Sequence, residues 1–78
     1  MSVKISLACN LKGEFHLWQN CLNDNYYLEL EYTCVQLDRF EALELALLMK
    51  SSPLTQCNEQ SIDALVRECE DYRSGKHD

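Results

Sequence analysis

Thiols, imidazoles and paired carboxylates are the side chains of this chain that could cleave a bond, hold a metal or cycle electrons. Cys9, Cys21, Cys34, Cys57 and Cys69 supply the thiols, His16 and His77 the imidazoles, and Glu29 and Glu31 a carboxylate pair on one strand face. Thiolate metal centres and redox dithiols use closely spaced cysteines, because one turn must present two sulfurs to one centre. No C-x-x-C occurs here. An odd cysteine count without a secretory leader argues against a disulfide scaffold. Reduced thiols acting as small apolar side chains are therefore expected, with no metal and no cofactor. A structural zinc would need separate elements to bring thiolates together, and nothing local signals it.

Nucleophilic catalysis would need His16 beside a thiol, with the imidazole as base. The strand register derived below points His16 to one face of a sheet and Cys9, Cys21 and Cys34 to the other. Glu29 and Glu31 share a face, but nothing apolar encloses them to raise a carboxyl pKa as acid catalysis requires. The chain has no HExxH, no glycine-rich phosphate loop, no GxSxG and no EF-hand loop. No catalytic residue is assigned, and a non-enzymatic role is expected.

The elements that position these residues read as strands first and helices second, an α+β domain. Val3, Ile5, Leu7 and Cys9 alternate with polar or small residues, which marks a strand over about 3–10. Gly13 signals a turn, and a three-residue loop at 11–13 pairs Cys9 with Phe15, Leu7 with Leu17 and Val3 with Cys21, all apolar. A second strand then covers about 14–22. Asn23-Asp24-Asn25 marks the next turn. A two-residue loop there sets Cys21 beside Leu28, Leu17 beside Tyr32 and Phe15 beside Cys34, because the alternative buries Glu31 unpaired. The third strand covers about 26–37, with Leu28, Leu30, Tyr32 and Cys34 inward. Gln19 is the one polar residue on the inner face.

Asp38 and Glu41 have the spacing of a capping box, and residues 39–50 lack Gly, Pro and β-branched side chains, so a helix covers about 39–50. Pro53 ends the connection, Asn58 caps a second helix over about 59–73, and Gly75 stops it. Cys57 and Ile62 are placed as a hydrophobic staple, and residues 76–78 form a frayed tail. The expected architecture is β-β-β-α-α: a three-stranded antiparallel meander with both helices packed on one face, in a single domain over 1–78.

That register leaves Ala8, His16, Trp18, Leu22, Tyr27, Glu29, Glu31, Thr33 and Val35 on the outer face, with Trp18 opposite Glu31 and Leu22 opposite Tyr27. An exposed tryptophan ringed by acids suits a partner bearing lysine or arginine. Trp18, His16, Tyr27, Glu29 and Glu31 form the candidate partner-binding set. The first helix carries two apolar stripes. The second of them, Ala42, Leu45, Ala46 and Met49 with Leu48 nearby, is a candidate helical interface, either against the other helix or as a homodimer seam.

Charge narrows the partner. The 78 residues carry net charge −6, and the seven Lys and Arg form no run. Direct binding of nucleic acid or anionic lipid needs clustered cations. No apolar run approaches the ~20 residues that span a bilayer, and with no leader at the N-terminus a cytoplasmic location is expected. The expected function is an acidic protein-binding domain that docks onto a basic surface, in its most concrete form by blocking the nucleic-acid-binding surface of a partner protein or complex. In size and acidity the chain resembles small phage-encoded inhibitors, anti-CRISPR proteins among them, and no motif carries residue roles across. The alternative is a structural subunit or homodimeric adaptor joined through its helices.

Overall fold

The computed structural model describes residues 3–75, so the tail expected at 76–78 lies outside the described residues. The element order is β1 (Lys4–Asn10), β2 (His16–Asn20), β3 (Tyr26–Glu29), β4 (Cys34–Leu37), α1 (Arg39–Lys50), β5 (Thr55–Cys57) and α2 (Glu59–Ser74). All strand pairs are antiparallel, in the order β4-β3-β2-β1-β5. The fold is α+β, with a sheet of five strands where three were expected. The core lies between one sheet face and the helices, where Leu7, Leu17 and Tyr26 meet Ala42, Leu43, Ala46, Met49, Ile62, Leu65 and Cys69.

The first added strand comes from folding back the segment expected as one strand over 26–37. At ~3.3 Å per residue that strand would run roughly 40 Å, as long as the longest dimension of the molecule, 39 Å. Instead Leu30 N–H donates to the Thr33 carbonyl at 2.7 Å, and the chain returns as β4. Val35 and Leu37 thereby pair with Leu28 and Tyr26. Leu30 and Tyr32, expected inward, are exposed at the turn. The second added strand lies in the helix connection. The Thr55 hydroxyl donates to the Met49 and Ser52 carbonyls, and the following residues pair with β1 as Asn10↔Thr55, Cys9↔Gln56 and Ala8↔Cys57.

Both registers differ from expectation. Lys4↔Asn20, Ile5↔Gln19 and Ser6↔Trp18 follow the expected pairing, but a bulge between Ser6 and Ala8 shifts the rest to Ala8↔Leu17 and Cys9↔His16. The bulge absorbs one extra residue of β1, and Leu7 and Ala8 are both fully buried. Ala8 is thus a core residue where an outer position was expected. The hairpin loop is longer by one residue, closed by Asn10 N–H to the Phe15 carbonyl (3.0 Å), with Gly13 at φ 74°. The β2–β3 loop exceeds its expected length by two residues, closed by Asn20 N–H to the Asn25 carbonyl (2.9 Å). Asn20 and Asn23 side chains accept backbone N–H groups of Leu22 (2.8 Å) and Asn25 (3.0 Å), and Asp24 takes φ 59°. Trp18 therefore faces Tyr27, not Glu31, and Leu17 faces Leu28, not Tyr32.

The helices follow the sequence closely. Asp38 and Glu41 form the reciprocal capping box of α1, and Ser51 closes it. The Asn58 side chain accepts Ser61 N–H at the start of α2, and Gly75 ends it in the left-handed conformation, φ 76°. Arg39 and Tyr26 join sheet and helices through Glu68. The Tyr26 hydroxyl donates to Oε2 at 2.7 Å and the Arg39 guanidinium lies 3.3 Å from Oε1.

Candidate functional site

Cross-strand pairing defines the sheet face opposite the helices. Cys9, His16, Glu29 and Cys34 form one row, Ser6, Trp18, Tyr27 and Gln36 the next, and Lys4 pairs with Asn20 beyond them. Cys9 and Cys34 were expected to point into the core and Val35 outward; Cys9 and Cys34 instead lie on this outer face, and Val35 lies on the helix side of the sheet, where it stays exposed. The bulge adds one residue to β1 and the Leu30–Thr33 turn resets the phase of β4, and a one-residue change inverts every side chain that follows. Cys9 consequently shares a face with His16, which the expected register had placed across the sheet.

Trp18 is the centre of this face and is covered. It is 8% exposed. The Tyr27 ring stacks on it at 4.7 Å between centroids with 26° between planes, and Lys4 Nζ lies 4.6 Å from its ring centroid. The same ammonium binds Glu29 Oε1 at 2.9 Å. That hydrogen bond, then the lysine charge, holds the Glu29 carboxyl below the usual carboxylate range. The indole N–H is buried without a hydrogen-bond partner. The exposed aromatic anchor expected from the sequence is a packed tryptophan with an ion pair as part of its lid.

Beside this lid lies an open cavity of about 540 Å³, lined by Lys4, Cys9, Phe15, His16, Glu29, Glu31 and their neighbours. His16 Nε2 and Ser6 Oγ are 3.0 Å apart. Burial, and then the Lys4 charge, lowers the His16 pKa against the opposing pull of Glu29. A thiol, an imidazole and the carboxylates of Glu14, Glu29 and Glu31 therefore share one cavity. Among the described residues, Glu29 bonds to Lys4 and not to His16, so no carboxylate orients the imidazole as an activated nucleophile requires. No group of three or more Cys, His, Asp or Glu among the described residues is arranged to hold a metal ion.

The remaining candidates are dispersed. Glu31 lies in the β3–β4 turn next to Tyr32, which is 92% exposed. Tyr27 is half-buried against Trp18. Of the helical set, Met49 packs into the chain's own core, Leu45 is half-buried and Leu48 is 65% exposed. Sequence reasoning missed Lys4 as the cover of Trp18, although its alternation with Ser6 on the outer face was the available signal. It also missed Tyr32, whose exposure depends on the unforeseen turn. No protein-family model, curated protein or solved structure matches this chain. No helix among the described residues is long and apolar enough to cross a membrane.

Proposed function

We propose that this chain is a non-enzymatic binding domain that docks an acidic surface onto a basic surface of another protein. The observation that carries the reading is the surplus of carboxylate left after internal pairing. Lys4, Arg39 and Lys50 are engaged by Glu29, Glu68 and Glu59. Lys12, Arg67 and Arg73 are the described cations outside those pairs, outnumbered by Glu14, Asp24, Glu31, Glu44, Asp63, Glu70 and Asp71. Such a surface draws a cationic partner and repels nucleic acid. In its most specific form the domain is an inhibitor that occupies the nucleic-acid-binding surface of that partner. The non-enzymatic reading is supported by the commitment of Glu29 to Lys4, which leaves His16 without an orienting acid.

Affinity capture from a lysate of the source cell at rising salt tests this, with wild type beside Glu31→Lys. The expected result is a partner with a basic surface, released as salt rises, weakened by Glu31→Lys and displaced by added DNA or RNA. Capture that ignores salt, or a partner without a cationic surface, overturns the reading. A homodimeric adaptor is the second reading, supported by Leu47 and Leu48, neighbours on α1 that are both exposed. A mass that rises with concentration in light scattering supports it, and a monomeric mass throughout removes it.

A further inference from the structure

The geometry points to the open edge of β4 as the docking line for an extended, lysine- or arginine-bearing segment of the partner, which joins the sheet as an additional strand. This inference rests on the basic-partner reading above and specifies how that partner is held.

β4 is a terminal strand of the sheet and, among the described residues, pairs with β3 alone. The Leu30 N–H to Thr33 carbonyl bond fixes the phase of the ladder. In an antiparallel pair, hydrogen-bonded and non-bonded positions alternate, so Val35 and Leu37 exchange bonds with β3. The N–H and C=O groups of Cys34 and Gln36 therefore point away from the sheet. Cys34, Val35 and Gln36 are all exposed. Edges are ordinarily blunted by a lysine, a proline, a bulge or a covering element, and Cys34-Val35-Gln36-Leu37 contains none of the first three. Unpaired strand edges of this kind bind peptides by main-chain hydrogen bonds, with side-chain pockets giving selectivity.

Charge selects the occupant. Glu31 stands at the turn before β4. At the other end a cleft of about 310 Å³ is lined by Asp24, Asn25, Gln36, Leu37, Asp38 and Arg39. The Arg39 guanidinium is already engaged, 3.3 Å from Glu68 and 3.7 Å over the Tyr72 ring. Asp38 Oδ1 is held by the helix cap, accepting the Glu41 N–H at 2.8 Å, so Asp24 remains to receive a cationic side chain, and both ends of the edge are acidic. A second copy fits poorly. Antiparallel twofold pairing of β4 with itself would bring Glu31 of one copy toward Asp38 of the other, and like charges across a strand pair repel.

The test uses isotope-labelled protein and a short capped peptide of alternating lysine and valine, with the same peptide N-methylated along its pairing edge as control. The Cys34 and Gln36 amides are expected to shift most and to gain protection from exchange. Gln36→Pro deletes one outward N–H and leaves the ladder to β3, and should weaken binding roughly three- to ten-fold. Asp24→Asn, a residue type that tolerates positive φ, should weaken it in a salt-dependent way. Should Gln36→Pro fail to fold, the N-methylated peptide makes the same test on the unaltered protein. Equal binding of the methylated peptide, amide shifts away from β4, or no binding at millimolar peptide each overturn the inference. So does a self-association that Gln36→Pro abolishes, because a second copy would then be the occupant. The basic-partner reading fails separately, through salt-insensitive capture.

Discussion

Replacing Trp18 by alanine removes an indole that supports both the Tyr27 ring and the Lys4 ammonium. A buried tryptophan withdraws roughly 200 Å² from water, worth about 5 kcal/mol at ~25 cal/mol per Å². Residual burial in the unfolded chain lowers that to about 3–4 kcal/mol. The stack and the cation–π contact each add about 0.5–1 kcal/mol. Release of the unpartnered indole N–H returns about 1 kcal/mol or more. The net expected loss is about 3 kcal/mol, against a total stability of about 4–12 kcal/mol for a chain of this length. Urea denaturation followed by far-ultraviolet circular dichroism measures it, and the melting temperature should fall by roughly 12–24 °C. Trp18→Phe, which keeps an aromatic ring beneath Lys4 and removes the N–H, should cost well under half as much. A loss below about 1 kcal/mol in Trp18→Ala, small against the usual cost of deleting a buried aromatic, would refute the packed-tryptophan account and restore Trp18 as a candidate contact.

Two further expectations concern the polar contacts. Burial and the bond to Glu68 push the Tyr26 phenol well above its ordinary pKa of 10.0. The folded chain therefore keeps a proton that the unfolded chain gives up, and the associated stability, complete below pH ~10, falls as pH rises past it. The slope is at most ~1.4 kcal/mol per unit and is reduced because water reaches Glu68. Tyr26→Phe should lose about 1–2 kcal/mol at neutral pH and lack that alkaline fall; urea curves with parallel pH slopes for the two proteins would refute it. Glu29→Gln removes the carboxylate partner of Lys4 and should loosen the Trp18 lid, shifting tryptophan emission to the red, whereas Glu31→Gln should leave emission unchanged and weaken partner binding. Indistinguishable emission spectra for Glu29→Gln and wild type would contradict this role for the ion pair.

Legibility from sequence depended on whether a signal was local or involved pairing. The helices were legible because their caps are local. Asp38 with Glu41, Asn58 and Gly75 act within a few residues of themselves, and the structure uses each as expected. The strand pairings were not, because loop length decides them and Asn-rich turns accommodate several lengths. The misjudged β2–β3 loop displaced the register of β3 by an even number, so Tyr27 and Glu29 kept their face while exchanging partners. The bulge at Leu7 and Ala8 is an odd insertion, and it turned Cys9 from the core to the outer face. No local signal marks it, since Leu7 and Ala8 read equally well as alternating residues. The turn at Glu31-Tyr32 was hidden similarly. Tyrosine and threonine favour strands, and the segment contains none of the Gly, Pro, Asn or Asp that announce turns.

These pairings move the candidate binding surface from the face of the sheet to its edge. On the face, Lys4 serves Glu29 and Trp18, Tyr27 covers Trp18, and Ser6 serves His16. A partner docking there would have to dehydrate an ion pair already formed, a cost that new contacts recover only with good geometry. At the edge the balance is different. Glu31 makes no ion pair among the described residues, Tyr32 offers an aromatic ring to solvent, and Cys34 and Gln36 present outward main-chain groups open to water on an edge that pairs with β3 alone. Replacing that water with a partner strand costs little, because water and strand satisfy the same donors and acceptors. Specificity then comes from the carboxylates at the two ends of β4. On the proposed docking, the acidity seen in the composition would act through its position along one short strand, not through the aromatic centre to which the sequence first assigns it.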